Sequence, residues 1–199
     1  MVIRVINWLK RKYPRWFIQN GLLSYNDLVI LVELGVINSP FENINGTSID
    51  VTLDSFICVE DLRGGMDKID LAKGQNIKLT EPFELDERGY MMTDTIMLAS
   101  TAETLNMPSW LSAEYSLKSS LGRNFLSHQL AGWCDPTFKG KVTLELKNET
   151  QFHKLVLTKG MKIGQIKFFK HPPVPHDKSY AVKGQYNEQD KVQPSKGVK

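Results

Sequence analysis

Residues 118–123 gather side chains that suit the binding of a polyphosphate. They read Lys-Ser-Ser-Leu-Gly-Arg, so two hydroxyls stand beside two cations, and the glycine permits close approach of the backbone. Serines are frequent helix N-caps, and a helical turn that begins here would direct free N–H groups at a ligand. Hydroxyls, amides, lysine and arginine together favour phosphate oxygens. Taken alone the signal is weak, and a serine-capped surface turn with solvated charges explains the same six residues better.

A single glutamate, Glu145, is the second candidate for chemistry. An Asp-Pro turn at residues 135–136 precedes residues 141–146, where polar and apolar side chains alternate as in a strand with one buried face. Thr143 and Glu145 share the polar face. If that face lines a pocket, a partly desolvated carboxylate can shuttle protons. If it faces solvent, Glu145 is an ordinary surface residue.

Other catalytic classes find no support in the sequence. Zinc-dependent nucleobase deaminases need a His or Cys with a nearby Glu and a Pro-Cys-x-x-Cys pair. No histidine here is followed two residues later by Glu, and Cys58 and Cys134 are far apart, so we expect no zinc. The sequence also contains no Walker A motif, no dinucleotide-binding glycine fingerprint and no G-x-S-x-G elbow.

Short strands with turn signals between them are predicted to position these residues. One helix is expected near the start, with Ser24 as N-cap and Gly35 as the stop. Strands are expected at residues 48–53 and 141–146 and, less cleanly, at 153–157. Many short strands of this kind indicate an all-β sandwich, jelly roll or barrel.

Size and charge limit the remaining possibilities. The 199 residues, 41% of them hydrophobic, suit one domain with appendages. A net charge of +3 is too small to indicate nucleic acid as a partner, but it is compatible with nucleotides. No apolar run has the length of a membrane span, and two isolated cysteines favour a cytoplasmic protein.

The two ends of the chain differ from its middle. Residues 1–20 form a basic extension, in which residues 2–13 are predicted to be an amphipathic helix. That helix either packs on the body or binds a membrane surface or partner. The tail from His171 onward is rich in proline, lysine and glutamine. It is either mobile or an arm that orders on a ligand or neighbour.

Three motifs in register resemble the dCTP deaminases of the dUTPase-like superfamily and, more distantly, dUTPases. The family pattern is Arg-Ser-Ser-Leu-(Ala/Gly)-Arg, then Ala-Gly-(any)-Ile-Asp-Pro-Gly-(aromatic)-(any)-Gly, then a strand with Leu-Glu. This chain reads KSSLGR, AGWCDPTFKG and VTLEL at nearly matching spacing. Residues 44–53 resemble the family's early strand, and residues 159–165 resemble its Gly-Met-x-Ile-(small)-Gln stretch. The resemblance covers about residues 22–189.

The resemblance implies a mainly β fold, a distorted jelly roll or β-clip with a few short helices. It implies a homotrimer with active sites shared between subunits. The body would comprise residues 21–170, and residues 171–199 would be an arm that closes over the nucleotide. If the source is viral, the location is the host cytoplasm.

The resemblance also implies hydrolytic deamination of dCTP to dUTP and ammonia, with no metal activating the water. Glu145 would be the proton shuttle, while Ser119 and Arg123 would hold the water and the base. Magnesium would accompany the triphosphate, and dTTP is a possible inhibitor. The family's binding residues correspond to Lys118, Ser119, Ser120, Leu121, Gly122, Arg123 and Gln165 for the triphosphate, Asp135 for the deoxyribose, Thr143 and Leu144 for the base, and Tyr180 and Gln189 in the arm.

Several departures from the family pattern leave alternatives open. Lys118 replaces an arginine and loses bidentate geometry, Thr137 replaces a glycine, and Gln185 stands where the family often has lysine. The stretch 123–131 is one residue shorter.

One alternative is a bifunctional enzyme that continues to dUMP. A dUTPase is disfavoured by Glu145 and by the absence of a C-terminal Phe-Gly-Ser-Thr-Gly motif. A catalytically silent nucleotide-binding trimer is disfavoured because Ser119, Arg123, Asp135, Glu145 and Gln189 are all retained.

Overall fold

The computed structural model describes residues 12–61, 68–85, 90–130 and 132–197. The chain is mainly β, as predicted, with two five-stranded antiparallel sheets and few short helices. The amphipathic helix predicted at residues 2–13 lies almost wholly outside the described residues.

The helices are short and lie mostly at the margins of the sheets. Ser24 occupies the N-cap of α2 with extended backbone, but its side chain makes no capping hydrogen bond. Leu28 and Leu31 on α2 are fully buried, as the predicted apolar face requires. No helix among the described residues is long and apolar enough to cross a membrane. The α-helices are α1 (Pro14–Phe17), α2 (Tyr25–Glu33), α3 (Ser119–Gly122) and α4 (Tyr180–Lys183), and 3₁₀ helices span Phe41–Asn43, Leu71–Lys73 and His176–Lys178.

The described part of the chain contains twelve strands. One sheet has the order β1-β12-β7-β9, with β2 also paired to β12. The other has the order β4-β3-β6-β10-β8, and β11 pairs only with β5. A single hydrophobic core takes residues from both large sheets. The strands are β1 (Gly21–Leu22), β2 (Ile49–Thr52), β3 (Phe56–Val59), β4 (Phe83–Glu84), β5 (Tyr90–Met91), β6 (Ile96–Asn106), β7 (Leu111–Leu117), β8 (Leu126–His128), β9 (Trp133–Cys134), β10 (Lys139–Asn148), β11 (Leu155–Val156) and β12 (Lys162–Lys170).

Strand β10 has the alternation predicted for residues 141–146, and it is longer than predicted. Leu144 and Leu146 are fully buried, whereas Thr143 and Glu145 on the other face are partly exposed. Paired to β6 on one side and to β8 at its end, β10 is held from both edges. Glu145 is therefore fixed by the most extensively paired strand of its sheet.

The strand predicted at residues 153–157 shrinks to the two residues of β11. The reason is the side chain of Asn148, which is fully buried and donates hydrogen bonds to the carbonyls of Met92 and His153. The His153 carbonyl thus bonds to a side chain rather than to a neighbouring strand.

Candidate functional site

A cavity of about 390 Å³ opens beside the polar face of β10. We call it the Glu145 pocket. Its volume lies within the usual range for small-molecule sites. Five residues predicted from the sequence line it: Asp135, Thr143, Glu145, Tyr180 and Gln189. The other lining residues are Leu98, Trp133, Cys134, Phe138, Val142, Tyr186, Gln193 and Ser195.

Glu145 is partly desolvated and faces a buried histidine. Its side chain is 28% exposed, and its Oε2 lies 3.2 Å from Nε2 of His128, whose side chain is only 4% exposed. Antiparallel pairing of His128 with Leu146, between β8 and β10, brings the two side chains together. The distance is that of an ion pair, but neither atom has a well-oriented hydrogen-bond partner among the described residues. Glu145 therefore presents a partly desolvated carboxylate to the pocket.

Tyr115 holds the other side of the histidine. Its ring centroid lies 4.8 Å from that of His128, and its hydroxyl donates to the carbonyl of Ile163 over 3.3 Å. Burial, reinforced by the charge of Glu145, raises the pKa of the Tyr115 hydroxyl well above its usual range. The hydroxyl therefore stays protonated and keeps donating, which fixes the ring against which His128 packs. Neither His128 nor Tyr115 is predicted from the sequence, because strand pairing rather than a local motif creates these contacts.

The C-terminal arm, residues 171–197 as described, forms one wall of the Glu145 pocket. The Gln189 carbonyl accepts from the Lys141 amide at 2.9 Å, and the Gln189 side chain donates to Thr143 Oγ1 at 3.2 Å and to the Lys141 carbonyl. Its Oε1 is buried and has no hydrogen-bond partner within the described ranges. A ligand that offers an N–H or O–H donor would satisfy this oxygen.

Gly140 makes the close approach of the arm possible. Its φ is +135°, and a Cβ added here would lie 2.6 Å from the Gln189 carbonyl oxygen. Any other residue at this position would displace the arm from β10.

Asp135 and the residues around it form another part of the pocket lining. Asp135 Oδ1 accepts a hydrogen bond from the indole N–H of Trp133 over 3.1 Å. Burial raises the pKa of the Cys134 thiol to about 12, so it contributes as an apolar group. Tyr180 packs edge-on against Phe138 with ring centroids 5.5 Å apart. These contacts fix both Asp135 and Tyr180 at the pocket.

Thr137 occupies the position of the glycine in the family pattern. It has a left-handed φ of +70°, which a glycine adopts without strain. Its hydroxyl accepts a hydrogen bond from the Ala181 amide over 2.8 Å. The threonine therefore ties the arm to the turn, a contact that glycine cannot make.

The 118–123 segment lies outside the residues that line the Glu145 pocket. Ser119, Ser120, Gly122 and Arg123 are exposed on and beside α3. The Arg123 guanidinium makes no ion pair with any described residue. Leu121 is partly buried and packs against the core. This segment is therefore available to a ligand or to a neighbouring chain.

Lys118 and Gln165 belong to a separate group around Asp50, which we call the Asp50 cluster. Lys118 Nζ lies 2.8 Å from Asp50 Oδ1, and Lys162 Nζ lies 3.0 Å from Oδ2. Gln165 pairs with Asp50 across β12 and β2, and its Oε1 accepts from Ser48 at 3.1 Å.

The predicted site residues thus fall into three groups: those that line the Glu145 pocket, the exposed turn at 119–123, and Lys118 with Gln165 in the Asp50 cluster. Leu144 belongs to none of them, because its fully buried side chain points into the core. Only its main chain could meet a ligand.

Comparison with known proteins identifies the family. A family model described as dCTP deaminase-like matches residues 23–171. A Nocardioides protein named "dCTP deaminase, dUMP-forming" is 38% identical over 155 residues, which is 75% of this chain and 80% of that protein. A protein of the same name from Methanocaldococcus jannaschii is 34% identical over 202 residues, covering 87% of this chain and 95% of its own length.

A solved structure shares the fold. The crystal structure of 2'-deoxycytidine 5'-triphosphate deaminase from Agrobacterium tumefaciens superposes with a TM-score of 0.59 at 19% identity. The match covers 76% of this chain but only 48% of that one, so this chain spans about half of its length. The family match, which runs from α2 through β12, and the two relatives show that the chain belongs to the dCTP deaminase-like family.

Proposed function

We propose that this protein converts dCTP to dUMP, ammonia and pyrophosphate, consuming two molecules of water. The sequence motifs pointed first to release of dUTP, with the bifunctional reaction as the alternative. The name carried by the similar proteins, "dCTP deaminase, dUMP-forming", favours that alternative.

The observation that carries the proposal is Glu145, a partly desolvated carboxylate at the wall of a nucleoside-sized pocket. In the first step Glu145 takes a proton from water as the water oxygen bonds to C4 of cytosine. It returns that proton to the ring nitrogen. Glu145 then takes the proton of the new C4 hydroxyl and delivers it to the amino group, so that C4=O forms as the C4–N bond breaks and ammonia leaves. General acid–base catalysis contributes about 10²–10⁴-fold, and fixed dipoles around the tetrahedral carbon must contribute much of the rest.

In this proposal Ser119 and Arg123 act in the pocket of a second chain. Ser119 and Arg123 lie outside the Glu145 pocket of their own chain and are exposed. We assign them to the pocket of a neighbouring subunit in a homotrimer, where they would hold the attacking water and the base. The interfaces of a closed cyclic trimer are heterologous, so each subunit can present these residues to the pocket of the next.

The second step removes pyrophosphate from dUTP by attack of water at the α-phosphorus. Residues 118–123 and Gln165 would hold the triphosphate. Asp135, which is fixed by the indole of Trp133, would accept a hydrogen bond from the deoxyribose hydroxyl. Thr143 and the main chain of Leu144 would border the base, with Tyr180 and Gln189 closing over it. A competing dTTP would occupy the same pocket.

Magnesium enters as the companion of the triphosphate. Mg²⁺ keeps several waters and is usually held by substrate phosphates with one or two carboxylates. Within the described ranges, no three His, Cys, Asp or Glu side chains are grouped to hold a metal. We expect phosphate oxygens to carry the ion, where it would neutralise part of the charge of the triphosphate.

A product assay tests the proposal. The purified protein is incubated with dCTP and, in parallel, with dUTP, each with magnesium and with or without a zinc chelator, and the products are resolved by chromatography. We expect dUMP with pyrophosphate and ammonia, unaffected by the chelator. Accumulation of dUTP would overturn the second step. Turnover of dUTP alone would indicate a dUTPase, and failure with both nucleotides would indicate a silent nucleotide-binding protein.

A further inference from the structure

Two lysines share one buried carboxylate in the Asp50 cluster. The Asp50 side chain is only 5% exposed and contacts Lys118 at 2.8 Å and Lys162 at 3.0 Å. Asn45 donates to the same carboxylate over 2.9 Å. Burial alone would raise the pKa of Asp50, but the hydrogen bonds from Lys118, Lys162 and Asn45 outweigh it and lower the pKa. The carboxylate is therefore ionised, and the three charges sum to one net positive charge.

Both ammonium groups retain the capacity to bind a second anion. The side chains of Lys118 and Lys162 are 29% and 47% exposed, so each reaches solvent while it contacts Asp50. An ammonium carries three N–H donors, and the contact with Asp50 uses one of them. Two cations fixed on one carboxylate repel each other, and an anion that bridges their outer sides would relieve that repulsion.

The cluster adjoins the 118–123 segment through the backbone. The Lys118 amide donates to the carbonyl of Ile163, the residue next to Lys162, over 3.2 Å. Gln165 is the cross-strand partner of Asp50, which Lys162 contacts, and a register shift between Lys162 and Gly164 offsets the usual alternation of side chains on β12. Lys162 therefore lies beside two residues that the proposed function assigns to the triphosphate.

We propose that Lys162 is a further triphosphate-binding residue, held in place with Lys118 by Asp50. This inference rests on the proposed function, because it names an additional contact to the same ligand. Lys118 stands where the family pattern has an arginine, and a lysine provides a point charge rather than a two-pronged donor. Two lysines on one carboxylate supply two donors at a fixed spacing and compensate for that loss. Lys162 occupies the variable position of the Gly-Met-x-Ile stretch, so the motif itself does not mark it.

Lys167 provides the matched control. It lies on the same strand, is partly exposed and pairs with Glu114 at 2.8 Å. Lys162→Met and Lys167→Met each remove one ion-paired ammonium from β12, but only the first removes it from the Asp50 cluster.

Calorimetric binding tests the inference independently of turnover. Affinities for dCTP with magnesium and for deoxycytidine are measured in a Glu145→Gln background, which prevents conversion of the ligand. We expect Lys162→Met to weaken dCTP binding about tenfold, to leave deoxycytidine binding unchanged, and to lose its effect at high salt. Lys162→Arg, which keeps the charge, should bind dCTP nearly as well as the parent protein and controls for folding.

The outcomes separate the two proposals. The role of Lys162 would be overturned if Lys162→Met left the dCTP affinity unchanged. It would also be overturned if Lys167→Met weakened dCTP binding equally, or if Lys162→Met weakened deoxycytidine binding as much as dCTP binding. If dCTP binding depends on Lys162 but the wild-type protein shows no deaminase activity, the binding role of Lys162 is supported and the proposed function is rejected. Failure of the parent protein to bind dCTP would reject both.

Discussion

The Glu145 pocket and the 118–123 segment hold their polar groups in opposite ways. In the pocket, Glu145 faces a buried histidine, and Gln189 bonds both to Thr143 and to the β10 backbone. In the segment, the serines and Arg123 are exposed. The groups proposed to act on the base are thus positioned by their own chain, whereas most of those proposed to bind phosphate are not.

The difference follows from what each region is proposed to bind. A neutral base can be enclosed by partly buried groups that keep one geometry, which favours proton transfer. A triphosphate with its metal is highly charged, and its binding groups must stay hydrated until it arrives. Lys118 and Lys162, through Asp50, and Gln165, through Ser48, are fixed beforehand.

The largest expected effect separates catalysis from binding. Glu145→Gln should lower the rate of ammonia release by about 10²–10⁴-fold, because the amide cannot shuttle a proton. Binding of dCTP should change only a few-fold, as calorimetry would measure. Glu114→Gln, which removes a carboxylate paired with Lys167 outside the pocket, should leave the rate nearly unchanged. A fully active Glu145→Gln protein would contradict the mechanism.

Mixing variants tests whether the two regions come from different chains. Arg123→Ala and Glu145→Gln should each be inactive alone. Random co-assembly should restore about one quarter of the wild-type activity, since that fraction of shared sites pairs two intact residues. No recovery in mixed oligomers, confirmed by sedimentation, would place both residues in the site of a single chain.

The contact between His128 and Glu145 should have the next largest effect. His128→Asn shortens the side chain that faces the carboxylate, and we expect kcat to fall about tenfold, with a smaller change in KM. His153→Asn alters an exposed histidine and is the control. If kcat instead falls in proportion to thermal stability, His128 has a purely structural role.

Displacing the arm should produce a moderate effect on binding. Gly140→Ala places a Cβ against Gln189, so we expect KM for dCTP to rise several-fold and proteolysis within residues 184–197 to accelerate. Gly160→Ala is the matched control, since its φ is also positive at +78° but nothing lies near the added Cβ. It should cost stability of about 1 kcal/mol without changing KM.

The smallest expected effect concerns stability and pH. The folded-state pKa of Asp50 lies below its ordinary 3.8. Its stabilising contribution is therefore complete at neutral pH and is lost as the pH falls through the lowered value. Asp50→Asn should lower Tm by a few degrees at pH 7, and the difference from wild type should shrink below pH 3.8. Asp94→Asn, in an exposed pair with Lys147, should change Tm little at either pH.

Much of the fold follows from local pattern, and the contacts within the site do not. Alternation predicts β10 and the side on which Glu145 lies, because a strand has a two-residue period. The contact of His128 with Glu145 depends on which strands pair, and Lys162 meets Asp50 across 112 residues. Neither contact can be predicted from a local sequence pattern, because each joins residues that are distant in the sequence. The left-handed turn at Thr137 was not predicted either, since threonine seldom adopts it.

The docking of the arm on β10 also has a consequence for solubility. Residues 187–189 satisfy backbone groups of Lys139 and Lys141 that β6 does not reach, with Asn187 Oδ1 and the Glu188 amide both bonding Lys139. Beyond this point β8 takes over the same side of the strand. The arm therefore covers the edge of β10 and also lines the Glu145 pocket. A truncated chain would expose a bare strand edge, the feature through which β proteins pair with one another and aggregate.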